Sequence, residues 1–206
     1  MIIGEADGRM KKQGVIFDLD GTVVETSYDW QKIREEIGAG ETSILTYLKS
    51  LDEPERSRKR LILERHEAAQ TETAVLRGGI RDFLGALRAR GVAAALVTNN
   101  SRKNTEFLLK KFGLALDCVI TRESGLWKPS GAPFREVLKR LRLKPDDCCV
   151  VGDTRFDVLA GLDAGIAAIF LLSDEPEKYA GFPVDIYPDL KYLSRACLAF
   201  LKTRKR

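Results

Sequence analysis

From about residue 78 to its end, this chain alternates short unbroken apolar runs with stretches patterned for amphipathic helix, and few architectures accept that rhythm. "GGIRDFLGALRARG" (78–91) puts Ile80, Phe83, Leu84 and Leu87 on one helical face and stops at Gly91. "VAAALVT" (92–98) then reads as a strand buried on both faces, because it has no polar alternation. "KNTEFLLKKFG" is a short helix closed by Gly113, and "DCVIT" is a strand. "APFREVLKRL" carries Phe134, Val137, Leu138 and Leu141 on one face, with Pro133 tolerated in the first turn. "CCVVGD" is a strand, "RFDVLAGLDAG" a helix, "AAIFLL" a strand and "PDLKYLSRACLAFLK" a last helix. One earlier apolar run, "GVIF" at 14–17, supplies a first strand. Such an alternation predicts an α/β fold: a doubly wound, Rossmann-like parallel sheet covered by helices on both faces.

In that architecture ligands gather outside the carboxyl ends of the strands. The residues just after each predicted strand should therefore converge. They are Asp18 and Asp20, then Thr98 and Asn99, then Asp153 with Asp157. Lys128 reaches the same region by a loop that follows "DCVIT". Carboxylates do not collect at the end of a core strand unless something compensates their desolvation, so this convergence points to chemistry.

Residues 24–77 break the alternation. Trp30, Ile33 and Ile37 fall at helical spacing, as do Ile44, Leu48 and Leu51, followed by Leu61 and Ile62 in a highly charged run. The expected organisation is a core of 1–23 and 78–206, with a small helical cap at 24–77 placed to cover the strand ends.

Composition removes several alternatives. The hydrophobic fraction of 44% suits a globular core, but no apolar run approaches the ~20 residues that span a bilayer. "MIIGEADGRMKK" contains no apolar signal region. The four cysteines, Cys118, Cys148, Cys149 and Cys197, lack zinc-type spacing and read as reduced and buried in a cytoplasmic protein. Cys148 and Cys149 are adjacent in a strand and should face opposite sides. The net charge of +4 is concentrated in "ERSRKR" (55–60) and "KTRKR" (202–206). Neither comes with a nucleic-acid-binding module, so solvated helix and tail surfaces are expected, with no nucleic-acid or membrane partner. The sequence leaves the oligomeric state open. His66, the one histidine, reads as a solvated helix residue, Trp127 as loop packing, and Arg34, Lys49 and Arg65 as helix-surface charge.

Four strings, "DLDGT" (18–22), "VTNN" (97–100), "KP" (128–129) and "GDTRFD" (152–157), in this order, resemble the four motifs of the haloacid dehalogenase superfamily. The resemblance spans the chain, since 24–77 matches the position of that family's helical cap. "KPSGAPF" departs from the common pattern by spacing its prolines four apart.

The resemblance implies an enzyme dependent on Mg²⁺ that transfers a phosphoryl group through a covalent aspartyl-phosphate. Asp18 would be the nucleophile, as carboxylates do form phosphoryl intermediates. Asp20 would be the general acid and base. Asp18, Asp20 (through its backbone carbonyl), Asp153 and Asp157 would form the metal site, with Asp157 acting through a bound water. Thr98, Asn99 and Lys128 would bind the phosphate. Members that dehalogenate lack a carboxylate at the position of Asp20, so its presence implies phosphoryl transfer. The expected function is a phosphatase acting on a small phosphorylated metabolite, similar to the phosphoglycolate phosphatases. Two alternatives stay open on sequence: a phosphomutase, and a non-catalytic binding protein on the same fold.

Overall fold

The computed structural model of the chain describes residues 13–166 and 168–203. The N-terminal stretch 1–12 and the end of the basic tail, 204–206, lie outside the described residues.

Six parallel strands form the central sheet. They are β1 (Gly14–Phe17), β4 (Ala93–Val97), β5 (Cys118–Ile120), β6 (Cys148–Gly152), β7 (Ile169–Leu172) and β8 (Asp185–Tyr187), in the order β5-β4-β1-β6-β7-β8. β1 is central: Gly14 lies opposite Ala93 on one side and Cys148 on the other, and Phe17 opposite Leu96 and Val151. Its four residues are all buried, as a continuous apolar run requires. Strand order reverses on either side of β1, which makes its carboxyl end the crevice where loops from both halves meet.

The pleat sorts side chains onto two cores. Val15, Phe17 and Cys149 join one, with Ile80, Phe83 and Leu87 of α4 (Ile80–Arg88) and Leu193, Cys197 and Leu201 of α8 (Leu190–Thr203). Ile16, Cys148 and Val150 join the other, with Phe134, Val137 and Leu138 of α6 (Ala132–Leu141) and Val158 of α7 (Arg155–Asp163). The adjacent cysteines thus face opposite sides. All four cysteines are buried free thiols. α5 (Arg102–Lys111) begins at Ser101, whose hydroxyl accepts from the Asn104 N–H, and the chain turns after it at Gly113 with φ +59°.

Between β1 and α4 the chain leaves the sheet and returns. Outgoing β2 (Val24–Glu25) pairs antiparallel with incoming β3 (Val75–Leu76). Between them lie α1 (Trp30–Ile37), α2 (Ile44–Ser50) and α3 (Glu55–Thr73). These helices bury a cluster of their own from Ile33, Ile37, Ile44, Leu48 and Leu63. The sequence spacing found the helices but misjudged parts of their faces. Trp30 is 45% exposed and stacks on Tyr28, Leu61 is 64% exposed, and Leu63 is the inward residue of α3. In a helix so rich in charge, a few apolar residues do not fix the phase. The sequence also did not show β2, β3 or β8: two or three residues carry no periodicity to read. Among the described residues no helix is long and apolar enough to cross a membrane.

Candidate active site

The chain after β1 continues as Asp18-Leu19-Asp20-Gly21-Thr22 and turns back at once. Gly21 has φ +79°, and a Cβ there would lie 2.0 Å from Asp153 Oδ2. Only glycine combines that conformation with that approach, and the turn sets Asp18 beside Asp153, which follows β6. Thr22 secures the contact, its hydroxyl donating to Asp153 Oδ1 at 3.0 Å.

Asp18 is buried. Its Oδ1 accepts from the Leu19 N–H at 2.7 Å and lies 2.7 Å from Lys128 Nζ. The Lys128 ammonium donates equally closely, at 2.7 Å, to Asp157 Oδ1. Lys128 is only 2% exposed. Burial works against its charge, but Asp157 and Asp18 outweigh burial and hold its pKa above the ordinary lysine value. Burial raises Asp18 well above the usual carboxylate range; Lys128 opposes this, and Asp157 and Asp153 add to it. Asp153 is pushed up to about 7 by burial and then by Asp157.

Asp157 opens the first turn of α7. Its Oδ2 accepts from the backbone N–H and the hydroxyl of Thr154, at 3.0 and 2.7 Å, as half of a capping box. Both its oxygens are therefore hydrogen-bonded within the protein. The carboxylate packs against Gly152, where a Cβ would lie 2.4 Å from Asp157 Cγ. One oxygen each of Asp18, Asp153 and Asp157 lie within 4.8 Å of one another. Three carboxylates against one lysine leave an excess of negative charge in a buried place. An all-oxygen set of this kind fits a hard divalent cation such as Mg²⁺.

Asp20 sits across the turn. Asn100 donates to its Oδ2 at 3.0 Å, while its Oδ1 is buried with no hydrogen-bond partner. Burial raises the Asp20 pKa, with the Asn100 hydrogen bond opposing. Asn100 is itself oriented: its Oδ1 accepts from the Ser101 N–H and from Asn104 Nδ2, at 2.7 and 3.1 Å.

The structure brings all seven expected residues to the carboxyl end of the sheet, lining or bordering one cavity of about 440 Å³. Asn99 differs in detail from what the sequence led one to expect. Asn99 binds the Lys128 backbone with both ends of its amide: Nδ2 donates to the Lys128 carbonyl and Oδ1 accepts from the Lys128 N–H, each at 2.9 Å. Its amide thus braces the loop that delivers the lysine. Thr98 Oγ1 accepts from the Asn100 N–H at 3.0 Å, so its own proton remains to be given elsewhere. Sequence reasoning missed Asn100, although "VTNN" displays it, and missed Glu67 of α3, which lines the cavity from the helical side. His66 lies 3.1 Å from the Glu36 carboxylate, and Arg34 donates to the Gly40 and Thr42 carbonyls, closing the α1–α2 connection. Trp127 donates weakly to Thr46 at 3.4 Å, and the Lys49 ammonium stands 5.4 Å from its ring centroid, which joins the insertion to the loop before Lys128.

The sequence model of haloacid dehalogenase-like hydrolases matches residues 12–165. The chain belongs to that family. It is similar to a haloacid dehalogenase-like hydrolase domain-containing protein of Arabidopsis thaliana, 23% identical over 90% of this chain and 81% of the relative. It is also similar to the phosphoglycolate phosphatase of Chromobacterium violaceum, 26% identical over 76% of this chain and 83% of that protein. Among solved structures, CbbY from Rhodobacter sphaeroides in complex with phosphate shares the fold, with a TM-score of 0.69 at 21% identity, covering 93% of this chain and 99% of that one.

Proposed function

We propose that this haloacid dehalogenase-like hydrolase is a Mg²⁺-dependent phosphatase that hydrolyses a small phosphorylated metabolite through a phosphoryl group carried on Asp18. The observation that carries the reading is the unequal treatment of two neighbouring carboxylates. Asp18 Oδ1 is fixed by Lys128 and a backbone N–H, leaving Oδ2 to attack; Asp20 Oδ1 is buried, unpartnered and in an environment that favours its proton.

The phosphate monoester is bound with its phosphorus against Asp18 Oδ2. Thr98 donates its free hydroxyl proton to a phosphate oxygen. Lys128 holds positive charge behind the nucleophile, at a position already paid for by Asp157. Asp20, protonated, gives its proton to the departing ester oxygen as the bond from phosphorus to that oxygen breaks and the bond to Asp18 forms. Asp20, now ionised, takes a proton from the water that attacks the phosphorus, and Asp18 leaves as carboxylate. Asn100, on the other oxygen of Asp20, fixes which oxygen carries the proton. Asp18 and Asp153 would hold the Mg²⁺, with Asp157 behind them orienting Lys128. The ion supplies positive charge that offsets the phosphate and the crowded carboxylates. The helical insertion acts as the cap over this site, and the apolar residues it adds to the cavity, Ile44, Leu45 and Leu63 among them, exclude water from the leaving group.

An acid quench after mixing with an activated aryl phosphate, followed by intact-protein mass, tests this. Asp20→Asn gains the mass of one phosphoryl group, Asp18→Asn gains none, and excess chelator abolishes turnover by the unaltered protein. Phosphate on Asp18→Asn overturns the nucleophile assignment, and undiminished turnover in chelator overturns the metal.

A further inference from the structure

Glu67 lies in the middle of α3, one turn after Leu63. Both side chains face the cavity above the aspartates. Glu67 is 4% exposed, a rare state for a glutamate without full pairing. Its Oε1 accepts from Arg122 Nη1 at 2.5 Å. Its Oε2 is buried and has no hydrogen-bond partner. Arg122 stands behind it and is not among the residues that line the cavity. Besides Arg122, Asp20 and Glu64 act on this carboxyl, and both disfavour its ionisation. The cavity, whose lining also carries the cations Arg34, Lys128 and Arg155, therefore holds at Oε2 an anchored acceptor with no donor, at the place where the leaving group of a bound ester would sit.

We propose that Glu67 is the specificity-determining residue of this site, and that its Oε2 accepts a hydrogen bond from a hydroxyl or amino group on the alcohol portion of the substrate. This rests on the phosphatase reading of the same cavity and names the class of ester it takes: phosphates of polyols, sugars or amino alcohols, and not phosphates whose alcohol portion carries a carboxylate close by. A donor satisfies Oε2 and recovers the cost of its isolation. A second carboxylate placed against Oε2 brings two like charges together out of water, and Oε2 gains no donor. The phosphoglycolate named for one relative is of the second kind, so this position separates the present chain from that chemistry.

The test is a binding ratio. Dissociation constants for glycerol 3-phosphate and 2-phosphoglycolate are measured by titration calorimetry in Mg²⁺ on Asp18→Asn protein, which cannot form the phosphoryl intermediate. The buffer is kept above neutrality, where the Glu67 carboxyl, pushed up to about 7 mainly by burial, is ionised. The glycerol ester is expected to bind more tightly, and Glu67→Gln, which keeps an acceptor for Arg122 but presents a donor to the cavity, is expected to move the ratio towards phosphoglycolate by at least about tenfold. The kcat/KM ratio for the same two esters should move the same way in protein with Asp18 intact. Loosening of the cap alone would weaken both esters together and leave both ratios where they were, which overturns the proposal. Tighter binding of phosphoglycolate before any change at position 67 overturns it without recourse to a variant. The phosphatase reading fails separately, on absence of aryl phosphate hydrolysis, which the binding ratio does not sense.

Discussion

Replacing Lys128 by methionine, which keeps the unbranched stem to within one atom of its length and removes its charge, isolates the term that holds the acidic centre together. Two carboxylate oxygens lie 2.7 Å from Nζ. At an effective dielectric constant of about 20, each contact corresponds to about 6 kcal/mol of gross attraction. Desolvation of the buried ammonium offsets most of it. What remains on breaking the arrangement is the cost of carboxylates left without their cation, about 3–5 kcal/mol. The protein can soften that cost by binding protons. Asp18 and Asp153 already have pKa values raised by burial, and Lys128 is a principal force lowering both. Without it they rise further. A carboxyl whose folded pKa lies above its unfolded value stabilises the fold most below the unfolded value, and that contribution is lost as pH rises through the folded one. The deficit of Lys128→Met relative to the unaltered protein should therefore be smaller at about pH 5 than at about pH 8. Urea unfolding in chelator, followed by far-ultraviolet circular dichroism because Trp127 adjoins the substitution, gives the difference directly. A deficit below about 1 kcal/mol above neutrality, or one that shrinks as pH rises, would refute the account of Lys128 as the charge that makes this cluster tolerable.

Two further substitutions probe the turn and its orienting contacts. Asn100→Ala removes the donor to Asp20 Oδ2 at 3.0 Å; it should lower kcat by about 10-fold or more with KM little changed, and, because that hydrogen bond lowers the Asp20 pKa and Asp20 must be protonated to serve as acid, displace the alkaline limb of the kcat/KM profile upward, an unchanged profile being the contrary result. Gly21→Ala requires a Cβ 2.0 Å from Asp153 Oδ2 at a φ of +79°, so it should abolish turnover and lower the melting temperature; activity close to that of the unaltered protein would mean the turn opens without loss.

The sheet was legible in the sequence because parallel strands buried on both faces leave unbroken apolar runs, and the helices between them keep their own period. β8 was not, since Asp185, Ile186 and Tyr187 form a short edge strand that is only partly covered. The aspartates and Lys128 could be read because the fold gathers strand ends and the motifs stand there in plain order. The neighbouring asparagines could not be assigned. Whether Asn99 or Asn100 turns towards Asp20 depends on the backbone between Thr98 and Ser101, where one residue of rotation exchanges a brace on Lys128 for a partner of the acid. Glu67 was hidden for a different reason. Its helix has charged residues on every side, and burial of one among them is decided by Arg122, 55 positions further along.

The paired strands β2 and β3 join Val24 to Leu76 and Glu25 to Val75, and Arg77 binds back across the crossing to the Gly21 and Thr22 carbonyls. For the sheet, the polypeptide therefore departs and returns at a single point. The entropy of closing a loop grows only as the logarithm of its length, and here the two ends of the insertion are held together at its base by the strand pair. The number of residues beyond the crossing is nearly invisible to the core. Helices could be lengthened, exchanged or trimmed there without altering the register of β1 against its neighbours. One chemical centre could thus be supplied with differently shaped antechambers, and selection could act on the choice of ester while the geometry of Asp18 and Asp20 stays untouched.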